Sequence, residues 1–172
     1  AVFDFMIGPL AHRHFAEHKI KVFTSPVGFY FIKKMMRERR AEFAGEYSGH
    51  YYFQEVFGSD CAIMAAAHFL TRLSQERQAL SQWLEQWPRQ HQLMVNFPYP
   101  RERFSRLAKR LEKKFKARAE KISTLDGIKI ECADHWFNLR PSNTEDLLRL
   151  TVEAATPERL DQLVTKLKTM LS

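Results

Sequence analysis

The sequence predicts an α/β domain, with a mixed, partly parallel sheet and flanking helices, followed by a smaller α+β domain. The second domain's sheet is expected to be mostly antiparallel and covered by two helices. Three observations carry this. In the first half, short β-type runs alternate with helical periodicities, as in sheets fed by crossover helices. In the second half, strand-like runs lie between one long amphipathic helix and another at the end. Between the halves, Trp87-Pro88 stops the helical pattern, dividing the chain into 1–88 and 89–172.

Each element follows from local pattern. Residues 1–6 form a short apolar strand run. Residues 9–18 read as a helix, with Leu10, His14 and Phe15 at helical spacing. Residues 21–24 are a second strand, and Ser25-Pro26-Val27-Gly28 is a turn. Residues 29–40 form a helix in which Phe29, Ile32 and Met36 share a face. Residues 42–44 lead into a Gly-Glu loop, and the β-type aromatics Tyr51 to Phe53 leave it. Asp60 is placed to cap a helix over 61–73, and a further helix covers about 75–86. Past the boundary, 93–97 is a strand and Pro98-Tyr99-Pro100 a stiff turn. A helix over 101–121 carries the stripe Phe104, Leu107, Leu111 and Phe115. Asp126-Gly127 is a hairpin dipeptide before a strand over 128–132. Two further strands, 136–139 and 147–152, flank a polar loop. Thr156-Pro157-Glu158 opens the last helix, whose apolar face is Leu160, Leu163, Leu167 and Met170.

The bulk numbers narrow the function classes. The 172 residues are 45% hydrophobic and 27% charged, as in ordinary soluble globular chains. No apolar run approaches the roughly 18 residues of a membrane span, so no membrane partner is expected. The start AVFDF lacks a basic leader and a cleavage site. It also lacks an initiator Met and opens inside a strand run, which suggests a piece of a longer polypeptide. The two cysteines, Cys61 and Cys132, match no metal spacing and suit a reducing cytoplasm. A net charge of +7 and a pI near 9.5 favour anionic partners: sugar phosphates, nucleic acid or acidic surfaces.

Two polar loops carry the chemistry. Arg140-Pro141-Ser142-Asn143-Thr144-Glu145 sits between two strands. Arg offers a planar fork of donors that matches phosphate oxygens. Ser142 and Thr144 add hydroxyls, and a Pro/Ser/Asn turn aims backbone N–H groups at one point. The alternative is a polar hairpin turn serving only its own backbone. Upstream, Gly45-Glu46-Tyr47-Ser48-Gly49-His50 frames a carboxylate and a hydroxyl with two glycines that permit close approach of a ligand. Glu46 can accept from two neighbouring hydroxyls and Ser48 adds a third contact. His50 either donates to a ligand oxygen or fixes the loop. The alternative here is a glycine-framed turn with a solvated Glu.

Together these motifs resemble a known family. RPSNTE, preceded by DGIKIECADHWFNL and followed by LLRLTVEA, is similar to the phosphate-binding loop in the last domain of the α-D-phosphohexomutases, the phosphoglucomutase/phosphomannomutase family. GEYSGH resembles the sugar-recognition loop of that family's third domain. The resemblance covers nearly the whole chain and implies the third and C-terminal domains. It assigns Glu46, Ser48 and His50 to sugar hydroxyls, and Arg140, Ser142, Asn143 and Thr144 to phosphate. Two departures stand out. Asp146 occupies a position where the family commonly has Pro, and its carboxylate is expected to face solvent. In Ser25-Pro26-Val27-Gly28, similar to the family's TPVGF loop, Phe29 and Tyr30 follow where some members have His or Lys; Gly28 is a loop element only.

The resemblance implies interconversion of hexose 1- and 6-phosphates through a phosphoserine, a hexose 1,6-bisphosphate intermediate and Mg²⁺. The family's serine loop, of the type T-x-S-H-N-P, and its metal loop, D-G-D-x-D-R, are absent. Hence no catalytic residue and no metal ligand is assigned here. The implied partners are a phosphorylated hexose and the N-terminal domains of a parent enzyme, and the chain alone is expected to be inactive. Two rivals remain: a basic nucleic-acid-binding module, with Phe104 and Phe115 interleaved in the run 101–121, and a non-catalytic mutase remnant. His12, His14 and His18 could offer two metal ligands on one helix face but no third, so a solvated face is the expectation.

Overall fold

The computed structural model describes residues 1–142 and 144–171, and the chain divides into two compact units, Ala1–Pro88 and Arg89–Ser172. In the first unit β1 (Val2–Asp4) is the central parallel strand. It pairs with β2 (Phe23–Ser25) on one side and β3 (Phe43–Gly45) on the other, both parallel. Successive side chains of a strand face opposite ways. Val2 therefore joins the buried cluster with Ile32 and Met36 of α2 (Phe29–Arg39). Phe3 meets Phe15 of α1 (Pro9–Glu17) edge-on at 4.8 Å.

The connection through α1 leads to one side of β1, and the connection through α2 leads to the other. This reversal makes β1 a switch point, and in such sheets ligands bind outside the carboxyl ends of the strands. The loop after β3 starts at that end. The sheet is then completed by antiparallel β4 (Tyr51–Phe53) and β5 (Ser59–Asp60), in the order β2-β1-β3-β4-β5. Helices α3 (Ala62–Gln75) and α4 (Leu80–Glu85) follow.

The second unit holds five strands, all paired antiparallel, in the order β6-β10-β9-β8-β7. They are β6 (His91–Pro98), β7 (Lys121–Ser123), β8 (Ile128–Glu131), β9 (His135–Pro141) and β10 (Leu147–Ala154). Helix α5 (Phe104–Phe115) buries Leu107, Leu111 and Phe115, and α6 (Pro157–Leu171) buries Leu163, Val164, Leu167 and Met170. These side chains close one core with Ile128, Ile130, Phe137, Leu139, Leu148, Leu150 and Val152. Phe104 packs against the same core. The aromatics of the basic run are thus core residues rather than a stacking surface for bases.

Four expectations need correction. The first strand stops at Asp4, because the next N–H groups, of Met6 and Ile7, turn back onto its carboxylate at 2.9 and 3.1 Å. Asp60 does not cap α3. It lies in β5 opposite Tyr52, and Cys61 flanks the helix without a side-chain cap. The helix expected over 75–86 is only α4, since α3 itself continues to Gln75. The helix expected over 101–121 begins as a 3₁₀ turn at Arg101–Arg103 and ends at Phe115. Beyond it, Arg118 N and Ala119 N both donate to Phe115 O at 2.8 and 2.9 Å. Glu120 N donates to Glu131 O at 2.8 Å and starts β7. The apolar stripe ends at Phe115, so strand pairing wins from there on.

Leu111 is fully buried in this core. Leu111→Ala should lower the unfolding free energy by about 2–5 kcal/mol, read from urea denaturation followed by circular dichroism.

Candidate functional site

The first loop is a turn built on its own backbone. Gly49 N donates to Glu46 O and Glu46 N to His50 O, each at 2.9 Å. Gly49 has φ +86°, the left-handed region that glycine enters without steric penalty. The turn is fixed to β1 by Asp4, whose Oδ2 accepts from Tyr47 N at 3.1 Å while Oδ1 serves Met6 and Ile7. Burial raises the Asp4 pKa, although the N–H groups of Tyr47, Met6 and Ile7 pull it down; the nearby Glu46 charge raises it further.

Glu46 is the centre of this loop. Its side chain is only 9% exposed, beside a His50 that is 53% exposed. Tyr52 OH donates to Oε1 at 2.5 Å and Ser48 Oγ donates to Oε2 at 2.9 Å. Burial, then the hydrogen bond and charge of Glu46, raise the Tyr52 phenol well above its ordinary range. Ser48 Oγ also lies 2.8 Å from His50 Nδ1. A proton on Nδ1 satisfies the whole chain: His50 donates to Ser48, and Ser48 to Glu46. His50 Nε2 stands 3.9 Å from Asp60 Oδ2. Glu46, His50, Tyr52 and Asp60 line a cleft of about 380 Å³ with Phe29, Ser59 and Lys33, the last donating to Ser59 Oγ at 3.2 Å. The cleft therefore combines acceptors and donors for hydroxyls with one exposed aromatic ring, Phe29.

The second loop joins β9 to β10. Ser142 is buried, its N–H donating to Leu147 O at 2.8 Å and its Oγ accepting from Thr144 N at 3.4 Å. Thr144 is exposed. Asn143 lies outside the described residues. Asp146 is exposed, and its backbone O accepts from Tyr99 N at 2.9 Å.

Arg140 is half-buried, and its Nη1 donates to Asp126 Oδ2 at 3.1 Å. Two features bring Asp126 there. Asn138 Nδ2 donates to Asp126 O at 3.2 Å and to Ile128 O at 3.4 Å. Gly127, at φ +84°, lies so close to β9 that an added Cβ would stand 2.3 Å from Leu139 O. The pair holds one edge of the guanidinium in a fixed orientation.

Thus Glu46 and His50 line one cleft with Ser48 bridging them, whereas Arg140 stands in β9 against Asp126 and Ser142 follows just past the strand's end. Asp4, Lys33, Tyr52, Asp60 and Asp126 were not assigned a site role from sequence. The signals were slight: a charge inside the apolar run VFDF for Asp4, and half of a hairpin dipeptide for Asp126. His12 and His14 lie on α1, and His18 flanks its C-terminal end. His14 and His18 rings are 4.4 Å apart, and His14 packs edge-on against Trp87 at 4.6 Å. Among the described residues no group of three His, Cys, Asp or Glu could hold a metal ion. Nor is any described helix long and apolar enough to cross a membrane.

Residues 1–90 match the family model for phosphoglucomutase/phosphomannomutase alpha/beta/alpha domain III. The chain belongs to the phosphoglucomutase/phosphomannomutase family. Residues 94–169 match the C-terminal domain of the same family. A phosphomannomutase of Methanocaldococcus jannaschii is 38% identical over 149 residues, which are 86% of this chain and 32% of that protein. A phosphomannomutase/phosphoglucomutase of Pseudomonas aeruginosa is 32% identical over 146 residues, 84% of this chain and 32% of that protein. The chain thus spans about a third of the length of these relatives. A crystal structure of a phosphoglucomutase/phosphomannomutase family protein from Burkholderia thailandensis shares the fold. Its TM-score is 0.81 at 24% identity, covering 99% of this chain and 36% of that one.

The two anchored loops of this family member yield two expectations. Gly127→Ala must move backbone, so it should cost roughly 3 kcal/mol, measured by urea unfolding, and loosen the Arg140–Asp126 pair. Asp4→Ala strands three N–H groups and should lower stability by about 1–3 kcal/mol, with faster amide exchange at Tyr47. Because the folded Asp4 pKa lies above 3.8, the folded state holds a proton that the unfolded chain has released. Wild-type stability therefore falls as pH rises through that window. The stability gap between wild type and Asp4→Ala should widen on acidification and narrow above the folded pKa.

Proposed function

We propose that this chain is the sugar- and phosphate-binding part of a phosphohexomutase, an isomerase that interconverts hexose 1-phosphate and hexose 6-phosphate. Glu46, Ser48 and His50 take hydroxyls of the hexose. Arg140, Ser142, Asn143 and Thr144 take the phosphate that is not reacting. The observation that carries this reading is the Glu46 carboxylate, shielded from water, held by Tyr52 and Ser48 and lining the cleft. A carboxylate already oriented at both oxygens keeps further lone pairs for neighbouring hydroxyls, and binding then requires little reorganisation. Arg140 plays the matching part for an anion, since Asp126 orients its guanidinium.

The reaction itself is assigned to the parent enzyme. Its phosphoserine and its Mg²⁺ ligands are assigned to the N-terminal domains of that enzyme. Mg²⁺, when bound, would neutralise charge on the transferring phosphoryl group. Hexose 1,6-bisphosphate would be the intermediate, so the bound sugar must present either phosphate in turn. A cytoplasmic location follows from phosphorylated substrates and free thiols. A nucleic-acid role is disfavoured, because Leu107, Leu111 and Phe115 of α5 are buried.

Titration of the chain with glucose 1-phosphate and mannose 1-phosphate tests the reading. Binding should be measurable, and Arg140→Ala should weaken it about a hundredfold. Arg140→Lys should not restore it, because an ammonium lacks the planar fork. In an isomerisation assay the chain alone should show no turnover, and turnover by it would overturn the assignment.

A further inference from the structure

The second unit holds a cavity that neither loop uses. Its volume is about 320 Å³, and it lies between the end of α5, the β8–β9 turn and the first three turns of α6. Arg159, Gln162 and Lys166 fall on one stripe of α6, at helical spacings of three and four. Arg118, just past α5, and His135, the first residue of β9, complete the polar lining. Arg140 stands near the other end of β9, roughly 17 Å from His135 at the rise of a strand.

The charge in this cavity is unbalanced. Three cations line it, Arg118, Arg159 and Lys166, against one carboxylate, Asp134. That carboxylate is already engaged: Oδ1 lies 2.6 Å from His135 Nδ1 and Oδ2 lies 2.7 Å from Arg159 Nε. The His135 side chain is 4% exposed, and its Nε2 is buried with no hydrogen-bond partner. Because Nδ1 donates to Asp134, Nε2 is the acceptor nitrogen, and a hydroxyl or protonated phosphate oxygen in the cavity would satisfy it. Lys166 sits above the Phe115 ring at 4.8 Å. Burial, then repulsion from Arg118, Lys114 and Arg159, lowers its pKa. A bound anion would relieve that repulsion. The size suits a small molecule rather than a polymer.

We propose that this cavity is a second anion site, separate from the Arg140 loop, that binds the phosphate group of a small molecule through Arg118, Arg159 and Lys166. Arg159 supplies its guanidinium from beside the Asp134 carboxylate, with Nη2 3.4 Å from His135 Nδ1. Lys166 and Arg118 close on the remaining oxygens. Occupancy here leaves the loops at Glu46 and Arg140 free, so it does not compete with a sugar phosphate bound there.

The test uses the 172-residue chain carrying Arg140→Ala, titrated by calorimetry with inorganic phosphate and, separately, with glycerol 3-phosphate. One equivalent of at least one probe should still bind. Preference for one probe tells free phosphate from a phosphate monoester. Adding Arg118→Ala and Lys166→Ala should weaken binding at least about tenfold, since charged hydrogen bonds are lost. Removing Lys113 and Lys116 instead subtracts the same charge from exposed positions of the same region and should change affinity less than about twofold. Gln162→Glu, which keeps side-chain shape, should weaken binding as well; it serves if the double variant fails to fold. The site is refuted if the Arg140→Ala chain binds neither probe. It is equally refuted if the cavity variants bind as tightly as their parent.

Discussion

A carboxylate buried at the carboxyl end of the central parallel strand holds the first loop in place. Asp4 accepts from three backbone N–H groups, two that follow it and one, Tyr47, that lies across the sheet in the loop after β3. Water could solvate such a charge better than most protein interiors, so the arrangement persists only because all three donors converge. From that anchor the rest of the cleft follows. Tyr47 fixes the turn, the turn places Glu46, and Glu46 aligns Tyr52 and Ser48. The β1 switch point brings the start of α2, with Phe29 and Lys33, to the same edge.

The second unit solves a similar problem by different means. Here an arginine, not a carboxylate, is held ready, and its orientation depends on a backbone contact. Gly127 allows the β7–β8 loop to press against β9, where any side chain would collide with Leu139 O. Asn138, buried below, holds the same loop through two carbonyls. Asp126 then meets Arg140 from the side. Family membership explains why such a combination recurs in one chain, but the local reasons are steric and electrostatic.

Much of this was legible in the sequence. The stripes of α2, α5 and α6 are strong, repeated patterns, and the strands around residues 136–139 and 147–152 are bounded by turn residues. Both polar loops stand out because glycine, proline and hydroxyl residues crowd there. What escaped depends on distant pairing. Strands β5 and β7 have two and three residues and no period of their own. They exist because β4 and β8 offer free edges. The end of α5 escaped for the same reason, since Lys121 continues a helical composition but is drawn into a strand. Tyr52 and Asp126 enter their loops only through register, which sets Tyr52 beside Ala44 and carries the β7–β8 hairpin alongside β9. Asn143, named with the phosphate loop, lies outside the described residues.

The parallel pairing of β1 with β3 has a kinetic consequence. Val2 meets Phe23 first and waits for Ala44, so a long closure precedes the β1–β3 pairing, whereas β9 meets β10 across one short loop. On a ribosome, β1 can meet β2 early, but it must wait for β3 until α2 has emerged. The Asp4 charge stays hydrated until then. The hairpin of the second unit zips as soon as it is synthesised.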